Sequence, residues 1–210
     1  IDTLPATAYV NSLACGSGHT LALLQSGQVM SWGRNEQGQL GLGQGAPATS
    51  LENFSVRIEH SAEQYKAAEI RGLPRIKAIS CGSYFSAALS VDGEVFIWGG
   101  INGWRISTPT RIETSESIDR LCCSNSILIM VPSSTNVYMM ETQRDNLLTS
   151  IASRGDNNEE ISCGPAMRAM GATMWRVPLP IGPEGPTVRD VASDGYAVLV
   201  LLTSGRLLMW

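Results

Sequence analysis

Aliphatic residues alternate with smaller neighbours at Leu21 and Leu23, and again at Ala87 and Leu89. A period of two puts each pair on one face of a strand. A glycine turn follows each such run: Ser26-Gly27, Asp92-Gly93 and Ser204-Gly205. Glycine accepts φ > 0 without steric cost, so these dipeptides predict tight hairpin turns. A second short strand then closes on a large residue, as in Val95-Phe96-Ile97-Trp98, and its β-branched and aromatic content suits a strand. This strand–turn–strand pattern occupies residues 10–32, 76–98, 118–140 and 188–210. The third copy is the weakest. It has Thr135-Asn136 at the turn, where Asn tolerates φ > 0, and Met140 in place of tryptophan.

Aligned on one another, the copies share three kinds of position. Gly27, Gly93 and Gly205 mark the turn; Trp32, Trp98 and Trp210 end the second strand; Cys15, Cys81, Cys123 and Ser193 hold a small residue on the first. These glycines and tryptophans, with His19, read as structural residues of the repeat. A lone hairpin is marginal in water. Similar hairpins along one chain bury their apolar faces by packing radially, which predicts an all-β fold of the β-propeller kind over residues 1–210.

The spans between copies carry further signals. Residues 50–75 and 141–187 exceed ordinary connections and read as long loops. Within the first, Ser61-Ala62-Glu63-Gln64 has the form of a capping box, helix formers run to Arg71, and Gly72 and Pro74 would stop them. This predicts one short helical excursion, with Tyr65 and Lys66 as candidate partner-binding residues. Trp104 and Arg105, between copies two and three, are a second candidate contact, because an exposed Trp–Arg pair suits a binding hot spot. The polar run 141–160 reads as a loop. Ile161-Ser162-Cys163-Gly164 repeats Ile79-Ser80-Cys81-Gly82 and reads as the stub of a fifth copy. Pro178, Pro180, Pro183 and Pro186 restrict 176–187 to an edge or a connection.

The first copy continues through Gly33-Arg34-Asn35-Glu36-Gln37-Gly38-Gln39-Leu40-Gly41-Leu42-Gly43. Its run CGSGHTLALLQSGQVMSWGRNEQGQLGLG closely resembles the regulator-of-chromosome-condensation repeat, the unit of a seven-bladed propeller family. Copy two matches through ISCGSYFSAALSVDGEVFIWGG and then departs, with Ile101-Asn102-Gly103-Trp104 where the GQLG segment belongs. Copy four matches in its hairpin. Copy three has lost the glycines and the tryptophan, which marks a divergent member. The resemblance implies a partial ring of about four blades, and the chain, starting at Ile1 and ending on Trp210, is expected to be part of a longer protein.

Composition narrows the chemistry. The formal net charge is −4, which offers nucleic acid no bulk attraction, so chromatin is the least favoured partner class. No apolar run is long enough for a spanning helix. The glycine-rich run 33–45 lacks the Gly-Lys-Ser/Thr of a phosphate loop and reads as turns. Of the five cysteines, three share one repeat position and none forms a C-x-x-C pair. They read as reduced structural thiols, with no metal, and point to an intracellular compartment. Neither histidine joins a nucleophile or a carboxylate in a catalytic signature, so no catalytic residue and no cofactor is expected. The architecture predicts a non-catalytic protein–protein interaction scaffold. The resemblance implies an alternative, guanine nucleotide exchange on a Ran-type small GTPase with chromatin association.

Overall fold

A computed structural model describes residues 9–43, 63–132, 136–142, 159–179, 188–193 and 197–209. Its strands fall into four antiparallel sheets that follow one another around an axis as propeller blades. Blade 1 holds β1 (Val10–Cys15), β2 (His19–Leu24), β3 (Val29–Arg34) and β4 (Glu63–Glu69). Blade 2 holds β5 (Ile76–Cys81), β6 (Phe85–Ser90), β7 (Val95–Ile101) and β8 (Trp104–Ile112). Blade 3 holds β9 (Ile118–Cys123), β10 (Ile127–Pro132), β11 (Asn136–Glu141), β12 (Glu159–Ile161) and β13 (Thr173–Pro178), in the order β12-β13-β11-β10-β9. Blade 4 holds β14 (Val188–Ser193), β15 (Val198–Leu202) and β16 (Leu207–Met209). The repeats at 10–32, 76–98, 118–140 and 188–210 are therefore the inner three strands of successive blades.

Burial follows position in the blade. The inner strands β1, β5, β9 and β14 line the axis and stay partly open, whereas β6 and β10 are buried throughout. The period of two explains the packing. Leu21 and Leu23 leave blade 1 on the side of blade 2 and meet Ala88 and Trp98. Ala87 and Leu89 leave blade 2 on its other side and meet Leu128, Met130, Tyr138 and Met140 of blade 3. Ile127, Ile129, Val137 and Met139 face Val198, Val200 and Leu202 of blade 4. Every blade is thus apolar on both faces, which is why strands such as ILIMVP read as continuous hydrophobic runs.

Three details depart from the sequence reading. Glu63–Glu69 is strand β4, not a helix, and pairs antiparallel with β3 through Met30↔Glu69, Ser31↔Ala68 and Arg34↔Glu63. An unpaired edge of β3 outweighs the modest helix propensity of Glu, Gln, Lys and Ala. Ser61 and Ala62 of the expected capping box lie outside the described residues. Second, Ile161-Ser162-Cys163-Gly164 does not open a fifth blade: Ile161 ends β12, the outer strand of blade 3. Third, the one described helix is α1 (Pro165–Ala169), which starts with Pro at its first turn and sets Met167 in the core. The spans read as long loops therefore contain β4, β12, α1 and β13.

Candidate functional site

The repeat signature is concentrated at the joints between blades. The first joint is the hairpin turn. Leu24 donates to Gln28 and Gly27 donates back to Leu24, which defines a three-residue loop whose last residue takes positive φ. Ser90–Glu94 and Leu202–Arg206 repeat the arrangement. Gly27, Gly93 and Gly205 have φ of +88°, +84° and +83°. The Gly27 carbonyl then accepts from Ile76 N at 3.0 Å, and that of Gly93 from Ile118 N at 3.0 Å. Each turn seats the first residue of the following blade. A Cβ at Gly93 would lie 1.9 Å from Ser117 Oγ, and one at Gly27 2.4 Å from Arg75 Cγ.

The second joint is a latch built from Asn35–Gly41. Asn35 Oδ1 accepts from Leu40 N, and Ser31 Oγ donates to the Leu40 carbonyl, which folds the segment back on its own blade. Its Gln39 carbonyl receives two donors from blade 2, Ser86 Oγ at 2.9 Å and Trp98 Nε1 at 2.9 Å. His19 Nε2 lies 2.9 Å from Ser86 Oγ. Because that hydroxyl spends its proton on Gln39, it accepts from His19, and the network assigns the Nε2–H tautomer. Burial lowers the His19 pKa from 6.5 to about 4, so the ring is neutral near pH 7. Gly41, at φ +69°, leaves no room for a side chain: its Cβ would sit 2.8 Å from Trp98 Nε1. Thus His19 and Trp98 work across blades rather than within one.

The other expected residues are placed as follows. Trp32 is half-buried against Ala22, Leu24, Met30 and Ala67. Trp104 and Arg105 are half-buried at the start of β8, just after an Asn102-Gly103 hairpin turn in which both residues have positive φ. Arg105 Nη2 donates to the Asn35 carbonyl at 3.1 Å, so it also braces the latch. Lys66 is exposed on the edge strand β4. Trp210 and the side chain of Tyr65 lie outside the described residues. Of the latch residues, His19, Trp98 and the GQLG run that holds Gln39 stood out in the sequence, whereas Ser86 carried no local signal.

Around the axis, the turns after the inner strands come together. Cys15, Ser17, Cys81, Ser83, Cys123, Asn125 and Ser193 line a shared depression. Ser17 N reaches the Ser83 carbonyl, and Ser83 N that of Asn125. Burial pushes the Cys81 thiol up to about 12 and raises that of Cys123 as well, so both are protonated. All five cysteines are free thiols, and among the described residues no group of three or more His, Cys, Asp or Glu is placed to hold a metal ion. No described helix is long and apolar enough to cross a membrane.

Comparison with known proteins agrees with this geometry. Two models described as the regulator of chromosome condensation (RCC1) repeat match, one at residues 10–39 and 76–103 and the other at 26–89. The protein pim1 of Schizosaccharomyces pombe is 33% identical over 99 residues, which cover 46% of this chain and 18% of pim1. Among solved structures, human WBSCR16 superposes with a TM-score of 0.68 at 19% identity, covering 99% of this chain and 49% of that one. Prp20p from Saccharomyces cerevisiae, described for its binding to Gsp1p and histones, gives 0.64 at 19% identity, covering 99% and 46%. The chain therefore spans about half the length of the solved propellers it matches and a smaller part of its curated relative.

Proposed function

The chain belongs to the regulator of chromosome condensation (RCC1) repeat proteins, and on that premise we propose that it is a non-catalytic scaffold on which protein partners dock. The observation that carries this reading is where the signature residues are spent. His19, Asn35, Gln39, Ser86 and Trp98 are consumed in holding blade to blade. The result is a rigid frame whose turns and outer strands are left to present contacts. Lys66 on the β4 edge and Trp104 beside the Asn102-Gly103 turn are the contacts we assign to a partner. Arg105, next to Trp104, keeps its bond to the Asn35 carbonyl.

A second reading has specific support. The superposition with Prp20p covers nearly the whole chain, and that protein is described as binding Gsp1p and histones. Guanine nucleotide exchange on a Ran-type small GTPase needs only differential binding, with no covalent step. The deciding experiment follows release of a fluorescent guanine nucleotide from a Ran-type GTPase, with binding recorded in parallel. The scaffold reading expects release at the unassisted rate. Acceleration of about tenfold or more would overturn it and make exchange the function.

A further inference from the structure

Blade 2 lacks the GQLG run, and Asn102 fastens it to blade 3 in another way. The Asn102 N–H donates to the Thr142 carbonyl at 2.7 Å, and Asn102 Nδ2 donates to the Gly171 carbonyl at 2.8 Å. Both acceptors belong to blade 3, one just past β11 and the other between α1 and β13. The first is firmly placed. Thr142 is fully buried, and its N and Oγ1 both donate to the Ser126 carbonyl, at 2.7 Å and 2.8 Å. Asn102 thus clasps the β7–β8 turn to the next blade, much as Gln39 joins blade 1 to blade 2.

The side chain that makes this clasp is also chemically labile. Asn102 alone among the asparagines precedes a glycine. Gly103 has no Cβ to shield its nitrogen from the neighbouring carboxamide. The pair forms a two-residue hairpin loop with φ of +49° and +83°, and both residues are half-buried. Gly171, on the far side of the clasp, is exposed, so water reaches the bond. Asn102 Oδ1, by contrast, is buried with no hydrogen-bond partner among the described residues. Within that set, the Nδ2 bond to Gly171 is the one hydrogen bond that restrains the carboxamide.

We propose that Asn102 is a site of spontaneous deamidation, and that the change irreversibly weakens the joint between blades 2 and 3. When local opening frees the side chain from Gly171, Gly103 N attacks Asn102 Cγ. A C–N bond forms, the Cγ–Nδ2 bond breaks, and ammonia leaves with the proton of the Gly103 amide. Water then opens the cyclic imide to aspartate or isoaspartate. The aspartate suits the turn, because Asp-Gly favours the same loop as Asn-Gly. It does not remake the clasp. A carboxylate has no proton to donate to the Gly171 carbonyl, and its buried oxygen still lacks a donor. Isoaspartate in addition lengthens the backbone inside the loop.

Peptide mass mapping of the folded 210-residue chain, held in mildly alkaline buffer, tests the chemistry. A gain of about one dalton is expected at the peptide holding Asn102 ahead of every other asparagine, and sooner still in urea, where the clasp is open. Hydrogen exchange tests the consequence. Asn102→Asp and Asn102→Gly both keep the turn and lose the Nδ2 donor. In each, the protection of the residue 102 amide, which bonds to Thr142, should fall about tenfold or more. Asn102→Gly adds no charge, so it reads the clasp even where the carboxylate variant does not fold. A folded chain in which Asn102 keeps its carboxamide while other asparagines convert would overturn the modification site. Undiminished protection at position 102 in Asn102→Gly would overturn the clasp.

Discussion

At the scale of the residue, the same glycine pattern does two separable jobs. Gly93 and Gly72 have nearly equal φ, +84° and +83°, but a Cβ strikes Ser117 Oγ at the first and meets nothing at the second. Gly72→Ala should cost about 1–2 kcal/mol from backbone strain alone, and Gly93→Ala at least about 1 kcal/mol more from the clash. Equal urea midpoints for the two would refute the joint. His19 adds a pH term. Its folded pKa of about 4 lies below the unfolded 6.5. The unfolded chain therefore takes up a proton first, and stability is lost as pH falls from about 6.5 to 4, by up to roughly 3 kcal/mol. His19→Gln is expected to flatten that part of the profile, seen as a smaller gap between urea midpoints near pH 7 and near pH 4. The glycines were legible because a turn is a local requirement. The role of His19 across blades was not, because its partner Ser86 lies 67 residues away.

At the scale of the element, the hairpins inside the repeats were legible from their short turns, and the outer strands were not. β4 shows why. Glu-Gln-Tyr-Lys-Ala-Ala-Glu has helix-forming composition, and only the waiting edge of β3, far back in the chain, makes it a strand. Lys66→Thr discriminates the two. At an exposed strand position it should be neutral or stabilise by a few tenths of a kcal/mol, whereas in a helix it would cost about half a kcal/mol. Thermal unfolding of the variant decides the sign. Asn102-Gly103 was the missed local signal, since Asn-Gly is strongly disposed to a two-residue hairpin loop. It opens β8 and completes blade 2 without a second GQLG segment.

At the scale of the whole molecule, the apolar clusters among the described residues join blade 1 to 2, 2 to 3 and 3 to 4, so stability should divide along the arc as it does in other repeat proteins. Met139 is fully buried between blades 3 and 4. Met139→Ala is expected to cost about 2–5 kcal/mol. Hydrogen exchange should then quicken over 188–209 and around β11 while β2 and β6 keep their protection; uniform quickening would mean a single cooperative unit instead. The propeller itself was legible because the copies share a register, whereas the filling of the outer edges depends on pairing that no window of sequence contains. The joints also have a direction. Gly27 receives Ile76 and Gly93 receives Ile118, and the Gln39 carbonyl receives Trp98. At the hairpin turns and the latch the earlier blade supplies the receiving carbonyl, whereas at the axis the order is reversed, with Ser17 N on the Ser83 carbonyl and Ser83 N on that of Asn125. During synthesis, at about 5–20 residues per second, each new blade therefore leaves the ribosome to find its berths at turn and latch already built.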